Sequence, residues 1–352
     1  MKYHIVSGAC GFVGRNTVKQ LLKRTNDCIL MVDDLSVGTH PSTWLQDRTV
    51  RKIKDIEIFG KDERLFYWKL DFRKFLHNLL ENPQWLEKVY GLKIERFGDA
   101  FHFAAIVGGR AKIEGDPMAV ALDLSIDAEF FNWVAKAKPE RVMYPSSSAA
   151  YPINMQTESD AVALKESDIN INGFTLGMPD LTYGWTKMTG EFLAKIAANN
   201  YGISIVCIRP FSGYGEDQDL TYPVPAIAAR AAKKENPFEV WGTGKQGRDF
   251  VHIDDVMDCM FLAMDKIHDG TAINIGSGKL TSFIDLIKVF SKFAGYDPVI
   301  KPLINKPMGV YSRYCDMRFV KERLGWEPKI SLEEGMKRVF DVASENLKGK
   351  KF

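Results

Sequence analysis

The first fourteen residues constrain the fold most. A short apolar strand, Tyr3 to Ser7, runs through Gly8-Ala9-Cys10-Gly11-Phe12-Val13-Gly14 straight into an amphipathic helix. Glycines at this spacing in a strand-to-helix turn let backbone N–H groups approach a pyrophosphate at the helix N-terminus. A second apolar strand, Cys28–Val32, leads to Asp33, 19 positions beyond Gly14. A carboxylate there accepts hydrogen bonds from the adenosine ribose hydroxyls and repels a 2′-phosphate. Asp33 and Asp34 therefore argue for NAD over NADP, with Arg15 close by pulling weakly the other way.

Further apolar runs at Phe66–Leu70, Phe101–Ala104, Val142–Tyr144 and Ile203–Ile208 read as parallel strands buried on both faces. Helical stretches such as Thr17–Lys23, Met118–Ala137 and Thr186–Asn199 alternate with them. This order predicts an α/β fold, a Rossmann-type doubly wound parallel sheet. From about Arg209 prolines punctuate shorter elements, as in a smaller C-terminal substrate-binding lobe. The expected division is residues 1–208 and 209–352, with about 239–265 returning to the first lobe. That second lobe should pack on the carboxyl ends of the strands, the edge where open α/β sheets bind ligands.

Composition excludes several function classes. Lys plus Arg is 47 against 45 for Asp plus Glu, so no global field draws in nucleic acid or a membrane surface. Arg51-Lys52-Ile53-Lys54 reads as a solvated loop. The five cysteines, Cys10, Cys28, Cys207, Cys259 and Cys315, show no C-x-x-C and sit mostly in apolar runs. They read as reduced structural thiols, neither a disulfide framework nor a metal site. The chain enters a strand at once, without a signal peptide or an apolar run of membrane-spanning length, so a cytoplasmic protein is expected.

Tyr183-Gly184-Trp185-Thr186-Lys187 completes what the N-terminus begins. Tyr183 and Lys187, four apart, share one helix face, and an ammonium beside a phenol favours the ionised form that can accept a proton. With the glycine turn, this segment resembles the extended short-chain dehydrogenase/reductase family, whose usual members are nucleotide-sugar epimerases, dehydratases and reductases. The resemblance covers nearly the whole chain. It implies that Asp71-Phe72 touch the adenine, and that Phe103-Ala104-Ala105 form the small-residue turn over the cofactor. Ser146 to Pro152 fall where the family carries Ser-Ser-x-x-x-Tyr-Gly, which makes Ser147 the residue that hydrogen-bonds the reacting sugar hydroxyl, with Ser148 beside it. Arg209-Pro210-Phe211-Ser212-Gly213-Tyr214-Gly215 resembles the family's Arg-x-x-Asn-x-x-Gly turn, giving Pro210 to the cofactor and Ser212 to the substrate. The strand ending in Trp241 matches the family's base pocket, and Arg248 and Arg313 match its clamp on a substrate diphosphate, since guanidinium binds phosphate oxygens bidentately. Asp254 and Asp255 read as caps of a helix starting at Val256, and Trp241 could equally fill an interlobe core.

Departures from the family narrow the chemistry. The acid–base pair of a 4,6-dehydratase falls on Ser148 and Ala149. Segments including Ala105–Gly109, Ala150–Pro152, Leu164–Asp168 and Phe238–Gly242 resemble GDP-mannose 3,5-epimerase, but that enzyme's Cys and Lys fall on Ala149 and near Pro223. Two family asparagines are Ser212 and Asp123. The expected activity is NAD-dependent C4 epimerisation of a nucleotide-diphospho-sugar through a 4-keto intermediate. The alternatives are net oxidation or reduction at C4, possibly of a GDP-sugar, then 3,5-epimerisation or 4,6-dehydration, and, from another class, a non-catalytic NAD-binding sensor. Relatives pair through the two long helices; a homodimer is expected, with Phe130, Phe131, Val134, Phe192 and Ile196 available either for that contact or for the protein's own sheet.

Overall fold

The computed structural model describes residues 1–106, 110–159, 161–171, 173 and 176–349. Val107–Gly109, within the segment resembling the 3,5-epimerase, lie outside the described residues. The strands that open the chain are β1 (Tyr3–Ser7), β2 (Cys28–Asp33), β3 (Val50–Ile53), β4 (Ile56–Phe59), β5 (Leu65–Lys69), β6 (Asp99–His102), β7 (Arg141–Pro145) and β8 (Ile205–Pro210). Shorter strands follow: β9 (Ser212–Tyr214), β10 (Phe238–Trp241), β11 (Gly247–Arg248) and β12 (Phe250–His252), before the longer β13 (Asp269–Ile275). One nine-stranded sheet has the order β13-β8-β7-β6-β1-β2-β5-β4-β3, parallel except for the β3–β4–β5 edge. The chain leaves β1 toward β2 and later crosses to β6 on its other side, so the sheet's topological switch point lies at the end of β1.

Two apolar layers explain why these strands read as unbroken apolar runs. Successive residues of a strand point to opposite faces. In β8, Val206 and Ile208 enter one core while Ile205 and Cys207 enter the other. The first core is closed by α1 (Phe12–Arg24) and the second by α2 (Phe72–Glu81). After α3 (Trp85–Tyr90), α4 (Arg110–Gly115) and α5 (Pro117–Ala121), the second core also receives α6 (Asp123–Ala137) and α7 (Leu181–Tyr201). Beyond α8 (Pro223–Ala232), α9 (Ile253–Lys266) packs on the first core through Val256, Met257, Met260 and Met264. A separate core, holding Val224, Ile227, Phe238, Leu286, Phe290, Met336 and Val339, forms the smaller lobe around α8, α10 (Phe283–Ala294) and, past α11 (Arg318–Leu324), α12 (Leu332–Lys348).

Several sequence expectations need correction. The stretch Met118–Ala137 is two helices that break at Leu122, which places Asp123 in the first turn of α6. Arg51-Lys52-Ile53 belong to the edge strand β3, whose exposed charges blunt a sheet edge. The helix after β12 starts at Ile253, not Val256. Its cap is His252, whose Nδ1 accepts the Asp254 N–H, while Asp255 accepts the N–H groups of Lys329 and Ile330. Phe130, Phe131 and Val134 are buried in the second core, whereas Phe192 is 47% exposed. Trp241 is 45% exposed and fills no interlobe core. All five cysteines are free and buried, and no helix among the described residues is long and apolar enough to cross a membrane.

Candidate active site

The glycine turn has no room for side chains. Gly8 has φ +63°, a left-handed conformation glycine tolerates, and a Cβ there would sit 2.6 Å from the Phe103 carbonyl carbon. A Cβ on Gly14 would lie 2.1 Å from the Gly8 carbonyl oxygen, so α1 starts flush against the turn. Gly11 is the helix N-cap and offers no side-chain cap, which leaves the first N–H groups of α1 to a ligand. Asp33 closes the cradle from the end of β2: its carboxylate accepts the N–H of Cys10 at 2.9 Å and of Leu35 at 2.8 Å, and burial pushes its pKa up. Arg15 is committed elsewhere, to the Asp217 carboxylate at 3.0 Å and the Cys10 carbonyl at 3.1 Å. These features fit a dinucleotide lacking a 2′-phosphate.

The turn after β6 joins this cradle to the candidate catalytic residues. Ser7 Oγ accepts the N–H groups of Phe103 and Ala104, both at 3.1 Å, and meets His102 Nδ1 at 2.8 Å. His102 Nε2 lies 3.0 Å from Asp127 Oδ1, and Asp127 Oδ2 accepts the Tyr144 hydroxyl at 2.6 Å. Above that ring sits Lys187, with Nζ 5.5 Å from the Tyr144 centroid and 5.7 Å from that of Tyr183. This buried polar chain crosses β1, β6, α6, β7 and α7, and the sequence reading missed its middle members. The signal available was a pair of carboxylates, Asp123 and Asp127, one helical turn apart beside an apolar strand ending in His102.

Two small residues let α7 approach. A Cβ on Gly184 would lie 2.3 Å from the Ala149 carbonyl oxygen, and one on Gly190 1.9 Å from Tyr144 Oη. The Asp180 N–H donates to the Ala149 carbonyl at 2.9 Å, fixing the helix start against the Ser148–Ala150 turn. Ser147 caps that turn, its Oγ accepting the Ala149 N–H at 3.1 Å. The hydroxyl hydrogen of Ser147 is thereby left for another acceptor. Ser148 is buried within the turn. For Lys187 burial opposes the charge, but the neighbouring Tyr183, Asp127 and Asp123 outweigh it and raise the pKa. Tyr222, unremarked in the sequence, also faces Tyr183: burial first and then Tyr183 push it up to about 12, so it stays protonated.

The two arginines meet in the smaller lobe. Completing its strands are β14 (Thr281–Ser282), β15 (Ile300–Leu303) and β16 (Ser312–Arg313). β11 and β16 pair in parallel with Arg248 opposite Arg313, which puts both side chains on one face. Arg313 also donates to Asp180, the N-cap of α7, at 2.8 Å and to Gln156 at 2.5 Å. Trp241 lies on β10, with Lys306 Nζ 5.9 Å from its ring. Ser212 donates its N–H to the Asp249 carbonyl at the start of β9, and Pro210 ends β8. Asp71 caps α2 and pairs with Arg73, while the Phe72 side chain is buried in the core, leaving its backbone alone to meet a base. Ala104 and Ala105 follow β6, beside Gly8.

The chain is similar in sequence and fold to known proteins. The pattern of the NAD dependent epimerase/dehydratase family matches residues 4–276. A putative UDP-glucose 4-epimerase of Methanocaldococcus jannaschii is 25% identical over 97% of this chain and 98% of its own. GDP-mannose 3,5-epimerase of Arabidopsis thaliana is 29% identical over 71% of this chain and 66% of its own. The crystal structure of a UDP-glucose 4-epimerase from Thermotoga maritima superposes with a TM-score of 0.76 at 24% identity, covering 98% of this chain and 99% of that one, a likeness of fold.

Proposed function

The chain belongs to the NAD dependent epimerase/dehydratase family, and on that premise we propose that it is a nucleotide-sugar 4-epimerase working through a 4-keto intermediate. The observation that carries the reading is a complete C4 set beside a vacant C5/C3 set. Ser147, Tyr183 and Lys187 gather where α7 meets the Ser148–Ala150 turn, while Ala149 and Pro223 offer no acid or base. Tyr222, held protonated, does not supply the base that C5 or C3 deprotonation needs.

In this reading Tyr183 takes the proton of the sugar's C4 hydroxyl. Ser147, whose Oγ is fixed by the Ala149 N–H, donates its hydrogen to the same sugar oxygen and orients it. Lys187 holds positive charge beside Tyr183, with Nζ 5.7 Å from its ring. NAD, when bound, accepts hydride from C4 and returns it. Gly8, Gly11, Phe12, Val13, Gly14 and Asp33 would hold it, with Asp71, Phe72, Ala104, Ala105 and Pro210 along its length. The 4-keto sugar turns over within the site, and Tyr183 returns its proton to the C4 oxygen. Arg248 and Arg313 hold the diphosphate through the turn, and Trp241 stacks on the base.

Incubation with a panel of UDP-, GDP-, CDP- and dTDP-sugars tests the reaction. A 4-epimer without net NADH is the expected product. Stoichiometric NADH would replace the reading with net oxidation at C4, and loss of water with 4,6-dehydration. The cofactor has its own test. With Arg15 occupied and Asp33 at the ribose, NAD should stabilise the protein against heat by about 2.7 kcal/mol at a hundredfold excess over its Kd, and NADP far less. Equal stabilisation by both would show Asp33 to lie off the ribose.

The same helices carry a surface for self-association. Met118 on α5, Leu122 at the break, Leu124 on α6, and Trp185 and Phe192 on α7 are exposed apolar side chains, and these helices pack together. They support a homodimer, which light scattering at working concentration would show as twice the 39.8 kDa chain mass.

A further inference from the structure

Lys187 is a buried ammonium with an uncommon set of neighbours. The residue is 4% exposed, and among the described residues Nζ makes no hydrogen bond or ion pair. A cation drawn out of water without a partner is costly. What Nζ has instead is two aromatic faces, with the Tyr144 centroid at 5.5 Å and that of Tyr183 at 5.7 Å. Both lie within the range over which a ring quadrupole attracts a cation, and the attraction strengthens as water is excluded. Tyr183 has a part in the proposed chemistry, but Tyr144 has none so far.

The Tyr144 ring is held on several sides. It is fully buried in β7, and its hydroxyl donates to Asp127 Oδ2 at 2.6 Å. Gly190, one turn beyond Lys187 on α7, leaves the space that Oη fills. Asp127 is itself fixed from the other direction. Ser7 Oγ uses both lone pairs on the N–H groups of Phe103 and Ala104, so its hydrogen goes to His102 Nδ1 at 2.8 Å. His102 is therefore neutral, and its Nε2–H donates to Asp127 Oδ1 at 3.0 Å. Stacking on Phe130, at 4.2 Å and 15°, orients the imidazole. Asp127 thus takes two donors as an anion, and a phenol that donates to an anion carries a more electron-rich ring.

We infer that Tyr144 is a positioning residue for the Lys187 ammonium. Its ring face, oriented and enriched by Asp127, holds Nζ beside Tyr183 where no carboxylate lies at ion-pair distance. The choice of a ring has a physical reason. A carboxylate on Nζ would hold it as firmly but would cancel the positive charge beside Tyr183, whereas a ring face attracts the ammonium and leaves its net charge intact. The lysine stem is flexible, so without such a contact the charge would not stay in one place. The inference rests on the Tyr183–Lys187 reading of the site.

The test weakens the ring's negative face with little change of size. Tyr144→Phe is compared with the mono-, di- and trifluorinated phenylalanines at the same position, since each fluorine withdraws electron density from the face. In protein carrying isotope-labelled lysine, the Lys187 signal is identified by its absence from Lys187→Met. Protons over a ring face resonate upfield, so the Cε–H signals of Lys187 should be displaced from the ordinary lysine position in the wild type and in Tyr144→Phe. They should return toward it stepwise with each fluorine, and furthest in Tyr144→Leu. On a reacting sugar, kcat should fall roughly tenfold from Tyr144→Phe to the trifluorinated protein while KM stays within about twofold. An ordinary lysine position in the wild type would overturn the inference without any variant. A signal or a kcat that stays constant across the series would overturn it too. So would a thermal unfolding midpoint that falls in step with kcat, which would assign the loss to packing. The lysine signal needs no substrate, so a sugar panel without a 4-epimer would remove the proposed reaction and leave this result to be read separately.

Discussion

Tyr183→Phe should fold and bind NAD as the wild type does, yet turn over about 10²–10⁴-fold more slowly. No hydrogen bond among the described residues uses the Tyr183 hydroxyl, so its removal leaves nothing unpaired in the interior. The ring, which packs 5.7 Å from Lys187, stays in place. What disappears is the group that takes the C4 hydroxyl proton in the proposed mechanism. Loss of a group used in the transition state lowers kcat and kcat/KM together. Ser147→Ala should show the same pattern more mildly, because Ser147 orients the oxygen without removing its proton. The measurement is steady-state turnover on whichever sugar of the panel reacts, beside thermal stabilisation by NAD. Turnover within a few-fold of wild type would place proton transfer on another group.

The parts of the site legible in the sequence were those built from local pattern. The glycine turn, Asp33 and the Tyr183–Lys187 spacing each lie within one strand, turn or helix, and the structure builds those elements. The parallel core strands were legible for a similar reason: burial on both faces leaves unbroken apolar runs. The β3–β4 edge was not, because Arg51, Lys52 and Lys54 mask a strand that needs only one apolar face. β13 was missed because Asp269, Gly270 and Thr271 open it with turn-like residues. The chain from Ser7 through His102 and Asp127 to Tyr144 exists only once four separated elements pack, so no spacing in the sequence announces it. Asp123 shows the limit most clearly. As a residue type it looked like a mere departure from an expected asparagine, and only its burial and its unpaired oxygen give the departure a physical consequence.

The largest stability effect should come from a pair that touches no ligand. Glu191 of α7 and Arg209 of β8 are 2% and 3% exposed, and two N–H···O bonds of 2.7 Å join them. A third guanidinium N–H reaches Tyr151 Oη at 2.9 Å, and Tyr151 donates onward to Asn274 at 2.7 Å. Ser146 donates to Glu191 from the strand end just before Ser147. Glu191→Leu would leave the guanidinium charged, buried and without its counter-ion, which costs about 3–5 kcal/mol. For a chain of this size that corresponds to a fall in Tm of about 4–7 °C. The double variant Glu191→Leu/Arg209→Met removes both charges and replaces them with apolar groups of similar length. It should recover most of the loss, because the pair's mutual attraction mainly offsets its own desolvation. Calorimetric unfolding of the two single variants and the double variant closes the cycle. A double variant as unstable as Glu191→Leu would mean that the stabilisation lies in the bonds to Tyr151 and Ser146. The pair would then be holding the Ser147 turn against α7 in addition to neutralising charge.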